Sequence, residues 1–174
     1  MKLIHSILIS LILVLAGCAS PDLQVKYYLL PYQAINNQLK ADIDLQVNLA
    51  EYLKQDSIVV ENNASELTFA NNHRWAEPLE QLTSRYLNKA LLLAGNAKFT
   101  SDKKLVINIE RLYGSASGQV YLSGFWQAYS ETSPHTQRYY FDFKLKQSES
   151  GYKSLVDTSA VLLSQLASQI NQNM

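Results

Sequence analysis

Val120-Tyr121-Leu122-Ser123-Gly124-Phe125-Trp126-Gln127-Ala128-Tyr129 carries apolar side chains at both odd and even positions. A strand with one wet face alternates apolar with polar, whereas one covered on both faces does not. The stretch therefore predicts a central strand. Tyr121, Phe125 and Tyr129 share one side of it, with Ser123 and Gln127 between them. Upstream, Leu105 to Leu112 places Leu105, Ile107 and Ile109 on one side of a neighbouring strand. Downstream, Tyr139, Phe141, Phe143 and Leu145 alternate with Tyr140, Asp142, Lys144 and Lys146. The links Gly114-Ser115-Ala116-Ser117-Gly118 and Ser130 to Thr136 have the composition of hairpin turns.

Two helical patterns border these strands. In Pro78 to Ala94, Leu79, Leu82, Tyr86, Ala90 and Leu93 recur at three- and four-residue steps, widened by Leu87, Leu91 and Ala94. That is a core-facing stripe, with Pro78 suited to the first helical position and Gly95 to the C-terminal cap. From about Lys153 to Asn171, Val156, Ala160, Leu163, Ala167 and Ile170 make a second stripe, while Asp157, Ser164, Gln165, Ser168 and Gln169 are expected to face water. Nearer the start, Tyr27-Tyr28-Leu29-Leu30 reads as a short strand stopped by Pro31, and Asp42 to Leu49 alternates strictly. Ile58-Val59-Val60 and Leu67-Thr68-Phe69 flank a polar turn. The order β-β-β-β-α-β-β-β-α predicts a single α+β domain: a mostly antiparallel sheet with two helices packed on one face.

The first residues are of another kind. Lys2 precedes an apolar run from Leu3 to Ala16, ending in Leu15-Ala16-Gly17-Cys18. A bilayer-spanning helix needs roughly 20 apolar residues, so the run is too short, and its layout is that of a secretory signal. It resembles a bacterial lipoprotein signal with Leu15 to Cys18 as lipobox. The resemblance implies a diacylglycerol thioether on Cys18, cleavage before it, and a fatty acyl amide on the new N-terminus. Ala19 stands where an Asp resembles an inner-membrane retention signal, which points to the outer membrane, periplasmic face. Residues 1–17 are thus expected as signal peptide, 18–26 as lipidated tether and 27–174 as the folded domain.

Cys18 is the only cysteine, so neither a disulfide framework nor a thiolate metal site is expected. Acidic and basic residues balance at 15 each, which leaves no electrostatic footprint for nucleic acid. His73 and His135 lack metal-ligand spacing, and Ser84, Ser123 and Ser159 lack a nucleophile-elbow pattern. Asp42 and Asp44 read as the wet face of an alternating strand. No catalytic residue, metal or cofactor is expected.

Taken in order along the chain, several pieces carry a family resemblance. They are the Cys18 lipobox, Tyr27-Tyr28-Leu29-Leu30, Tyr52-Leu53, Ile58-Val59-Val60, Arg74-Trp75-Ala76-Glu77-Pro78-Leu79, Gly118 to Trp126, and Gly151-Tyr152 before the last helix. Together they resemble the ABC-type transport auxiliary lipoproteins, the PqiC/YmbA-like outer-membrane family. The resemblance implies a non-enzymatic role in lipid or hydrophobic-compound transport across the envelope. Its implied partners are membrane lipid, through acylated Cys18, and a periplasmic MCE-domain protein with its inner-membrane components. The implied job is docking that protein at the outer membrane and supporting membrane integrity. A homo-oligomer is a further expectation. The alternative is a stand-alone structural or lipid-binding outer-membrane lipoprotein.

All 11 tyrosines follow Cys18. Tyrosine and tryptophan suit interfaces, being apolar at one end and hydrogen-bonding at the other. Strand propensity accounts for most of them. The functional expectation is that Tyr121, Phe125 and Tyr129 present a sheet face to a partner. Trp75, just before the first helix, is read as a packing aromatic with partner contact as its second role.

Overall fold

The central strand and its neighbours form as the periodicity requires. The computed structural model describes residues 24–31, 43–94, 103–130 and 137–174. Its strands are β1 (Lys26–Tyr28), β2 (Asp44–Leu49), β3 (Ser57–Asn63), β4 (Glu66–Trp75), β5 (Lys103–Ser115), β6 (Gln119–Ser130) and β7 (Arg138–Lys146). The helices are α1 (Leu79–Leu93) and α2 (Tyr152–Asn173), with a 3-10 turn at Glu51–Lys54. The α+β class and the element order hold.

One mixed sheet of seven strands runs β1-β4-β3-β5-β6-β7, with β2 also on β5. Three pairings are antiparallel: β3 with β4, β5 with β6 and β6 with β7. The others are parallel: β1 with β4, β2 with β5, and the ends of β3 and β5. These parallel pairs are the refinement to a mostly antiparallel expectation. Their partners are distant in sequence, so no turn signal announces them.

β2 and β3 follow each other along one edge of β5. A β-bulge sits between them: the register with β6 shifts between Ile109 and Arg111, leaving Glu110 unpaired. The bulge resets the alternation, so Leu112 turns inward (3% exposed) and Arg111 turns outward. The disrupted ladder is repaired locally. Ala50 N–H donates to the Ile109 carbonyl (2.9 Å), and the Tyr52 hydroxyl donates to the Glu110 carbonyl (2.8 Å). Burial, helped by nearby Tyr113, raises the Tyr52 pKa to about 12. Since the folded value lies above the unfolded one, Tyr52 stabilises the fold fully below about pH 10, and that contribution is lost as pH rises toward 12. Tyr52→Phe is therefore expected to flatten the alkaline limb of a stability-versus-pH curve. Identical alkaline limbs for the two proteins would exclude the assignment.

Both helices cover one sheet face. Val120, Leu122 and Trp126 of β6 meet Leu162, Leu163, Leu166 and Ala167 of α2 in one core, all fully buried. Burying a Leu-sized side chain contributes about 1.5–3 kcal/mol, so this layer holds the domain. The helices are also tied by polar links. The Tyr86 hydroxyl and Ser164 Oγ are 2.9 Å apart, and Asn171 Nδ2 donates to the Leu91 carbonyl (3.2 Å). The second bond satisfies a carbonyl that the C-terminus of α1 would otherwise leave open.

Several local expectations shift. Ser164 and Gln169 are half-buried rather than facing water, because α1 packs closer than an isolated stripe shows. Pro78 is the residue before α1 instead of its first member, and Gly114 belongs to β5 instead of the turn. The turn tightens because Gly118 adopts φ 79°, open to glycine at no steric cost. Residues 1–23, including Cys18, lie outside the described residues, as do Asp42, Gly95 and His135.

Candidate functional site

The sheet face opposite the helices is built by β5, β6 and β7. Register across the three strands sets Asn108, Phe125 and Tyr140 in one row, Arg111, Ser123 and Asp142 in the next, then Tyr113, Tyr121 and Lys144. Tyr121, Phe125 and Tyr129 share this face, as their spacing predicts. Tyr129 is 41% exposed and the other two are half-buried.

The half-burial comes from neighbours that spacing alone did not reveal. The Arg138 guanidinium lies 4.2 Å from the centroid of Phe125, whose ring is also 5.9 Å from Tyr140. Arg111 lies 5.8 Å from the Tyr121 ring and donates to Ser123 Oγ (2.6 Å) and Asp142 Oδ1 (2.8 Å). Tyr113 extends the row to Tyr121, with ring centroids 5.6 Å apart. Cations over aromatic faces are attracted by the ring quadrupole. The result is a surface of flat rings, two guanidiniums and a carboxylate. Tyr, Phe and Arg are the residue types enriched in protein interfaces and their hot spots.

Arg111 and Arg138 were missed in the sequence. Arg111 is turned outward by the bulge. Arg138 reaches Phe125 only through the β6–β7 register. Ser123 is buried and held by Arg111, with no base among its hydrogen-bond partners.

Trp75, the other expected contact residue, ends β4 and is 4% exposed. Its side chain belongs to the core, and burial rather than partner contact accounts for it here. Arg74 beside it pairs with Asp56 (2.8 Å). His73 accepts or donates at Nδ1 to the Tyr28 hydroxyl (2.8 Å) and stacks on Tyr152 (3.8 Å between centroids). It thereby joins the edge strand β1 to the start of α2. Burial, then nearby Lys26, pushes its pKa below the usual histidine value.

Two surface clefts flank α1. The first, of about 180 Å³, lies between Leu29, Leu30 and Pro31 and the helix residues Leu82, Arg85, Tyr86 and Lys89. Arg85 at its rim pairs with Glu77 (2.6 Å). The second, of about 530 Å³, is open and rimmed by Asp44, Gln46, Glu80 and Lys104. Among the described residues, no cluster of three or more His, Cys, Asp or Glu side chains could hold a metal. No helix among them is long and apolar enough to cross a membrane.

An α+β domain whose most elaborate surface is a sheet face of rings and guanidiniums has the build of a binding component. The chain belongs to the ABC-type transport auxiliary lipoprotein component family, whose sequence model matches residues 31–171. It is 27% identical over 175 residues to the intermembrane transport lipoprotein PqiC of Escherichia coli strain K12, covering 92% of this chain and 91% of that protein. The Shigella flexneri PqiC matches equally. A crystal structure of an uncharacterised protein has the same fold at TM-score 0.72 and 23% identity, covering 86% of this chain and 98% of the other. One from Xanthomonas campestris superposes at TM-score 0.65 and 16% identity, covering 83% and 92%. The family is one of transport auxiliary lipoproteins, not of enzymes.

Proposed function

We propose that this chain is a lipid-anchored, periplasm-facing auxiliary component of an MCE/ABC-type envelope lipid-transport system. Residues 1–17 are removed, Cys18 is acylated, and the domain docks the periplasmic MCE protein at the outer membrane, supporting membrane integrity. The observation that carries this reading is the family match over residues 31–171, which takes in both helices and nearly the whole sheet. The Cys18 lipobox supports the anchor, and Ala19 supports the outer-membrane address. Tyr121, Phe125 and Tyr129, with Arg111 and Arg138, supply the docking face.

Crosslinking the anchored protein in its own envelope, followed by mass spectrometry, tests the role. Recovery of an MCE-domain protein is the expected result. Recovery of outer-membrane assembly proteins alone would favour the stand-alone structural reading. Within that experiment Arg138→Ala tests the face. A cation–π contact at an exposed site contributes about 0.5–1 kcal/mol, so stability changes little. A central interface residue contributes about 2 kcal/mol or more, so crosslinked partner is expected to fall at least about tenfold. Unchanged recovery would remove the face from the docking model.

A further inference from the structure

The strand nearest the anchor has an exposed apolar side. Val25, Tyr27 and Leu29 stand at alternate positions and are 42%, 64% and 54% exposed. They are three of the seven exposed large hydrophobic side chains among the described residues. Of the intervening positions, Lys26 is exposed, Tyr28 bonds to His73 and Leu30 is 8% exposed. From Tyr28 onward the segment therefore turns one side inward and leaves the other open. It is the edge of the sheet at this end, pairing only with β4 among the described residues.

Chain length limits what can cover that side. Val25 is seven peptide steps from Cys18. At no more than about 3.6 Å per residue, the Cα of Val25 lies within about 25 Å of that of Cys18. Lys26 is exposed on the other side of the strand, and the cleft beside Leu29 is lined by Arg85, paired with Glu77, and by Lys89. A tyrosine among aliphatic side chains matches the headgroup boundary of a bilayer, where aromatic rings sit.

We infer that Val25, Tyr27 and Leu29 form a membrane seat, on which the anchored domain rests its β1 edge against the headgroup region of the bilayer. The inference rests on the lipid anchor at Cys18. The seat orients the domain: β7, at the other end of the sheet order, is held away from the lipid, and the aromatic–guanidinium face stands across the membrane normal. The contact is too small to hold the protein alone. It selects an orientation that the acyl chains have already made local.

The test uses the full lipidated chain in phosphatidylethanolamine/phosphatidylglycerol vesicles. Cys18 is the only cysteine and is consumed by lipid, so a single new cysteine takes a fluorescent label uniquely. Tyr27→Cys reports the seat, and Lys144→Cys, exposed on β7, is the reference. A quencher carried on the lipid is expected to act about fivefold more strongly on the label at 27 than at 144, because interfacial groups lie about 5–10 Å into the headgroup boundary. Equal quenching at the two sites, with aqueous quencher reaching both, would overturn the seat. Protection of position 27 from both quenchers, together with a multiple of the chain mass in detergent, would assign the strand to a second copy instead. Intact mass measured on the same sample reports acylation separately. An unacylated chain would fail the anchor itself, whereas an acylated chain with equal quenching would fail only the seat.

Discussion

Cys18→Ser is expected to move the protein from the membrane fraction to the soluble fraction of the envelope. Burial of acyl chains contributes about 0.8 kcal/mol per CH₂, so a single chain binds marginally and three hold for the life of the protein. Serine has no thiolate to accept the diacylglycerol group. Without that thioether no acylated amine follows, and the variant carries a signal peptide cleaved without lipidation in place of residues 1–17, so that the apolar run of residues 3–16 does not itself retain the chain. The Val25, Tyr27 and Leu29 side leaves only weak residual association, of the order of a few exposed side chains. Fractionation of the two proteins at equal expression checks this. A serine variant as firmly membrane-bound as the parent, and equally resistant to alkaline carbonate, would mean that Cys18 is not the anchor. On the proposed docking role, envelope integrity is expected to fall with the anchor, since the domain loses its effective concentration at the membrane.

Gly124→Ala is expected to lower stability by about 3 kcal/mol or more, combining a backbone overlap with an unfavourable dihedral. Gly124 sits at φ 156° in the middle of β6, directly beside the β5 bulge. A Cβ there would overlap the Asn108 carbonyl oxygen and also press on the Phe141 ring at 3.1 Å. The carbonyl is backbone in the central sheet and cannot swing aside as a flexible side chain would. For a domain of this size such a loss lowers the melting temperature by about 10 °C. Thermal unfolding measures it directly. A shift of only one or two degrees would show that β5 can slide past its bulge without cost. The same position also shapes the aromatic–guanidinium face, since Ser123 and Phe125 flank it in β6.

The periodicity of the chain was sufficient for its elements. Alternation in Tyr139 to Lys146 and the stripes of both helices reflect a solvent boundary that every residue meets locally, so the pattern is written along the chain. The Cys18 lipobox is an expectation of a different kind: processing enzymes recognise a linear segment, and no fold is needed to present it. The shared side of Tyr121, Phe125 and Tyr129 follows from a period of two and required nothing else.

What only the tertiary structure decided are relations between distant segments. The bulge at Glu110 falls between the stretches of β5 that pair with β2 and with β3, and it turns Arg111 outward. Arg138 meets Phe125 through strand register, and Trp75 is enclosed by elements drawn from across the chain. Val25, Tyr27 and Leu29 stand on an open side of the segment that pairs in parallel with β4, where the sequence shows only a short strand stopped by Pro31. Hydrophobic pattern records that a side chain seeks cover. It does not record which segment provides the cover, because burial is non-directional and many partners satisfy it equally.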